Sequence, residues 1–100
     1  MDKYVVKLLS RAYRDLDGIY AYIAKTLLEP GVAKKLLEEM EDAILSLENL
    51  PHRGALRKSG AFADKGYRQL FIKNFTVIYR VNVVNKQVVI VTVRYSKSQF

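Results

Sequence analysis

The residues of this 100-residue chain able to meet a phosphate and an unpaired base crowd its second half. Arg94, Tyr95, Lys97 and Phe100 all fall within the last seven positions, and Arg68, Lys73 and Arg80 precede them. Arg53, Arg57 and Lys58 add charge upstream. Cations pair with phosphate oxygens and rings stack on splayed bases, so this composition suits RNA binding. The same types in strands also serve as ordinary core and cross-strand residues, and charge also suits a solvated face. Thiol chemistry is excluded, because the chain holds no cysteine. Its one histidine, His52, supports neither a His-rich metal site nor a two-histidine mechanism.

Charge divides the chain. Residues 1–50 hold seven Lys/Arg against nine Asp/Glu, a balance of −2. Residues 51–100 hold ten Lys/Arg against Asp64 alone, a balance of +9, and together these give the formal net charge of +7. Asymmetry of this kind points to a polyanionic partner and equally fits a basic soluble protein without one. No apolar run approaches the ~20 residues of a membrane-spanning helix. The N-terminal stretch is too short and too charged for a signal peptide, so the expectation is a cytoplasmic protein of one domain, residues 1–100, without membrane contact, cofactor or metal.

The elements that must position these residues follow from periodicity. Residues 4–9 read as a first strand, with Ser10 as the cap of a following helix. From Arg11 to Leu27, apolar residues at Ala12, Leu16, Ile19, Tyr20, Ile23, Ala24 and Leu27 make one helical stripe. Asp15 and Asp17 early and Lys25 late suit the helix dipole. Glu29-Pro30-Gly31 breaks the pattern, and a second helix runs from about Val32 to Asn49 with a seam at Leu36, Met40, Ala43, Leu47 and Leu50. The short connection makes the two helices an antiparallel hairpin. A basic loop reaches Gly66. The period then changes to two, giving strands over 67–73, 75–83 and 87–95 with turns at Lys73-Asn74 and Asn85-Lys86.

The fold class is therefore α+β, in the order β-α-α-β-β-β: a small, mostly antiparallel twisted sheet packed on a two-helix antiparallel hairpin. The first strand pairs at an edge. The last, apolar on both faces, is central. A two-residue turn at Lys73-Asn74 sends Leu70, Ile72, Phe75, Val77, Tyr79 and Val81 to the helix side. Gln69, Phe71, Lys73, Thr76, Ile78 and Arg80 then face outward, on an open and basic face.

Over essentially its whole length the sequence resembles the RelE/ParE family of toxins from type II toxin–antitoxin systems. The resemblance is carried by Arg11-Ala12-Tyr13-Arg14-Asp15-Leu16, by Leu50-Pro51-His52-Arg53-Gly54 and by Gly66-Tyr67-Arg68-Gln69-Leu70. It continues through Asn74-Phe75-Thr76-Val77-Ile78-Tyr79-Arg80-Val81 and residues 88–95. It implies a small acidic antitoxin as cognate partner and one of two targets. RelE-like members cut mRNA on the ribosome by transesterification; ParE-like members inhibit DNA gyrase and lack that catalytic set.

On the nuclease reading Arg94, Lys97 and Tyr95 carry catalysis, and Lys73, Arg80, Arg68, Phe100, Arg53, Arg57 and Lys58 hold RNA. Arg68 also resembles the family's structural arginine. Two positions depart from the nuclease pattern. Thr76 stands where many nucleases have an arginine, and a threonine cannot neutralise charge building on a phosphate. Phe100 stands where a tyrosine closes the tail, and a phenyl ring moves no proton. The resemblance thus implies a toxin, in the first place a ribosome-dependent mRNA endonuclease with a reduced catalytic set. A gyrase inhibitor and a non-toxic antitoxin-binding relative are the alternatives.

Overall fold

The computed structural model describes residues 3–97. Strand β1 (Val5–Leu8) runs directly into helix α1 (Ser10–Ala21), which continues through a π-helical turn, Tyr22–Thr26. Helix α2 (Pro30–Leu45) follows and tightens into a 3-10 turn, Ser46–Glu48. Four more strands follow among the described residues: β2 (Ala55–Leu56), β3 (Arg68–Ile72), β4 (Phe75–Asn82) and β5 (Gln87–Tyr95).

The sheet order is β1-β5-β4-β3-β2, with β1 parallel to β5 and every other pair antiparallel. The first strand lies at an edge and the last is interior, as the patterning predicts. Strand β2 is an addition, since two residues carry no readable period.

Ser10 is the first helical residue and not the cap. Leu9 occupies the cap position with extended backbone, φ −67° and ψ 156°, because its N–H is given to the Ile90 carbonyl at 3.0 Å. Its carbonyl in turn receives the N–H groups of Ala12 and Tyr13. Pro30 opens α2, where a missing N–H costs nothing.

The β3–β4 register is the one that a two-residue turn dictates, from Ile72 opposite Phe75 to Gln69 opposite Ile78. Lys73, and not Asn74, takes the positive φ of 53°. The core joins Leu70, Val77, Tyr79, Val88, Ile90 and Val93 of the sheet to Leu16, Met40, Ile44 and Leu47 of the helical layer, with Ile72, Phe75 and Val81 packed against it.

The opposite face is less open than expected. Phe71 and Arg80 are exposed there, but Thr76 and Ile78 are buried. The Thr76 hydroxyl is tied to Ser96. Arg57 reaches Gln69, the residue across from Ile78, and draws the loop over 57–66 toward this face. A bulge between Ile78 and Tyr79 pairs them with Thr92 and Ile90, skipping Val91, and so re-aims the end of β5.

Candidate functional site

The end of β5 and the β3–β4 turn meet at one corner of the sheet. Phe75 pairs with Tyr95 across the ladder, their rings 5.8 Å apart and inclined at 68°. That edge-to-face geometry suits two aromatic quadrupoles. Next to them Thr76 pairs with Arg94. The chain then turns back. The Ser96 N–H is given to the Asn74 carbonyl at 2.7 Å, and the Ser96 and Thr76 hydroxyls share a hydrogen bond of 2.8 Å. Lys97 is exposed just beyond, and Phe100 lies outside the described residues. This corner gathers Arg94, Tyr95 and Lys97, with Lys73 on the neighbouring turn. Lys73, expected on the open face, leans instead to the helix side, where it forms a surface ion pair with Glu39 of α2 at 3.7 Å beside Val32 and Leu36. Arg80 stands four residues along β4 from Thr76, about 13 Å away, exposed on the same side of the strand.

The other basic residues collect at the opposite end of β3, where they bind the protein itself. Arg68 donates to the Gly54 carbonyl at 2.7 Å and to the His52 carbonyl at 3.4 Å. Arg53 donates to the Ser46 hydroxyl at 2.7 Å. Arg57 donates to the Ala61 carbonyl at 2.6 Å and to Gln69 Oε1 at 2.8 Å. Lys58 is exposed in the same loop. Beneath them the Tyr79 hydroxyl accepts the Gly54 N–H at 2.9 Å. Burial pushes the Tyr79 phenol up from 10.0, partly opposed by that N–H and by the Arg68 and Arg53 charges. His52 is exposed at this end, remote from Tyr95 along the strands.

Two features of the corner are not legible in the residue types. The first is a groove of about 820 Å³ between α1 with its π turn and the end of β5. Arg14, Ile19, Tyr22, Ile23 and Leu27 form one wall, and Asn74, Phe75, Val93 and Tyr95 form the other. Tyr22 is 56% exposed, Leu27 50% and Tyr95 43%, so the groove presents wide apolar surface beside basic side chains. The second is Asp15, which bonds β5 through the Thr92 hydroxyl and the Val93 N–H. Its position early in a helix suggests only a dipole partner. The bulge at Val91, invisible in sequence, lies directly before Thr92 and brings Val93 to the helix side opposite Val77.

Chemically, the corner offers hydroxyls bonded to one another, packed rings and cations at its rim. It suits the recognition of an acidic or apolar surface. Among the described residues no helix is long and apolar enough to cross a membrane.

A family model described as ParE toxin of type II toxin–antitoxin system, parDE, matches residues 6–100. No curated protein matches the chain. Among solved structures it is similar to the chromosomal ParDE toxin–antitoxin system from P. aeruginosa, with a TM-score of 0.78 at 24% identity, covering 97% of this chain and 100% of that one. It is also similar to the toxin–antitoxin complex RelBE2 from Mycobacterium tuberculosis, with a TM-score of 0.63 at 22% identity and coverage of 93% and 98%. The intact E. coli RelBE complex gives 0.61 at 12% identity, with coverage of 95% and 99%.

Proposed function

The chain belongs to the ParE toxin family of type II toxin–antitoxin systems, and from that premise we propose that it arrests growth by binding its target, DNA gyrase, and not by cutting RNA. The observation that carries this reading is the Thr76–Ser96 hydrogen bond of 2.8 Å. At the position where nuclease relatives carry an arginine, the side chain is buried and its hydroxyl is engaged. Transesterification needs a group that takes the 2′-hydroxyl proton and a cation that meets the charged phosphate. Histidine is available only as His52, at the far end of β3. Gyrase inhibition, the activity of ParE-like members, needs a surface and no proton transfer.

The partner that keeps the toxin silent is a small acidic antitoxin, and the groove beside β5 suits it. A helix-sized apolar segment fits the Tyr22–Leu27 wall, and an acidic flank meets Arg14. Gyrase and antitoxin alike act in the cytoplasm.

A second reading, a ribosome-dependent mRNA endonuclease, is favoured by Arg94, Tyr95 and Lys97 at one strand end with Lys73 beside them. Induction of the toxin without its antitoxin separates the two. A gyrase inhibitor relaxes plasmids and raises DNA-damage signalling while protein synthesis initially continues. Transcripts cut inside codons, with plasmid topology normal, are the signature of the nuclease and defeat the gyrase reading.

A further inference from the structure

We propose that a second groove, on the other flank of α1, docks a cationic amphipathic helix of a partner protein. Helix α1 is a ridge between two depressions. Arg14, Gly18 and Tyr22 face the groove beside β5, whereas Tyr13, Leu16 and Asp17 face the other. The second groove, about 350 Å³, is closed by Leu8 of β1 and by Leu37, Glu41, Ile44 and Leu45 of α2.

Apolar surface is left uncovered here. Tyr13 is 58% exposed and Leu45 54%. Leu9, one turn before Tyr13, is 45% exposed. Two packed helices ordinarily turn such side chains toward each other, so large apolar residues standing open on both walls of one groove mark a place for a partner.

Charge selects the occupant. Asp17 on one wall and Glu41 on the other form no ion pair among the described residues, and Glu38 and Asp42 are exposed beside them on α2. Three other carboxylates of this layer are engaged: Asp15 with Thr92 and Val93, Glu39 with Lys73, Glu48 with Lys3. The lining of the groove holds two carboxylates and no cation, on a chain of net charge +7. An acidic antitoxin segment or an RNA backbone placed there meets like charge. A helix with leucine-like anchors at i, i+3 or i+4 and i+7 fills the floor, while its Lys or Arg side chains lay their stems on Tyr13 and Leu45 and reach Asp17 and Glu41. Because α1 stands between the grooves, an acidic ligand beside β5 leaves this one accessible. The inference rests on this geometry and charge alone, whichever target the toxin takes.

The full chain is titrated with a synthetic Leu/Lys amphipathic peptide of about 14 residues, four turns of helix, and with its Leu/Glu counterpart, while backbone amide NMR shifts are followed. The expected result is shifts confined to Leu8, Tyr13, Asp17, Leu37, Glu41 and Leu45 with the Lys peptide only. The double variant Asp17→Lys/Glu41→Lys, both exposed or rim positions, loses affinity by about tenfold or more. Tyr13→Ser also weakens binding, and circular dichroism verifies that each variant is folded. Shifts that map to the groove beside β5, binding unaffected by charge reversal, equal binding of the Glu peptide, or self-association of the toxin through this face overturn the proposal.

Discussion

The Asp15 carboxylate accepts the backbone N–H of Val93 at 3.1 Å. It also accepts the hydroxyl of Thr92, a side chain with no exposed surface. The parallel pairing of β1 with β5 ends at Leu8 opposite Ile90, so beyond Ile90 the edge of β5 loses its strand partner. A helix side chain takes over that edge and locks α1 onto the strand that leads to Arg94 and Tyr95. Asp15→Ala leaves a buried hydroxyl and an N–H without their acceptor and costs about 2–3 kcal/mol. Asp15→Asn retains an oxygen acceptor and costs less. Urea unfolding of the three proteins measures the difference.

Gly54 has no room for a side chain. A Cβ there stands 2.6 Å from the Gln69 carbonyl oxygen and 2.6 Å from the Tyr79 hydroxyl. Gly54→Ala therefore detaches the 52–54 segment from β3, with a loss of about 1–3 kcal/mol. Tyr79→Phe keeps the packing and removes only the acceptor of the Gly54 N–H, for about 1–2 kcal/mol. Thermal unfolding of both variants ranks the two effects.

Tyr79 also gives alkaline unfolding a defined source. Its phenol is raised above 10.0 by burial, so the folded chain holds that proton more tightly than the unfolded chain. The resulting stability is complete below pH 10 and is lost as pH rises through the higher folded value. The urea midpoint of the wild type falls over this range, and the Tyr79→Phe variant falls less. An equal fall in both excludes Tyr79 as the cause.

On the proposed reading, the groove beside β5 is the surface that takes the antitoxin. Tyr22→Glu with Leu27→Glu removes apolar contacts and opposes an acidic partner, so affinity for the cognate antitoxin drops by about 100-fold or more in calorimetry. Because both side chains are at least half exposed, stability moves by no more than about 0.5–1 kcal/mol.

Sequence patterning reached the sheet because its rules are local. A Lys73-Asn74 turn between two period-2 runs has one register, and a strand apolar on both faces has to be interior. Long-range choices escaped it. Ala55-Leu56 is too short to show a period, and it becomes a strand because Arg57 and Arg68 fasten it to β3. The bulge at Val91 depends on pairing with β4. Leu27 continues the helical stripe in sequence, but the π turn at Tyr22–Thr26 inserts extra chain and rotates it outward. The candidate site divides the same way. Arg94, Tyr95 and Lys97 converge at one corner, whereas Arg53, Arg57 and Arg68 form a separate clamp on the loop, a distinction that residue type does not encode.

The most direct measurement is a supercoiling assay with purified gyrase and relaxed plasmid, run beside programmed ribosomes and mRNA, using wild-type toxin and the Arg94→Ala/Lys97→Ala variant. A binding toxin inhibits supercoiling and leaves mRNA intact, and the variant loses only about tenfold in potency, as rim contacts do. Full supercoiling at saturating toxin, together with codon-internal mRNA cleavage that the variant loses by about 100-fold or more, contradicts it.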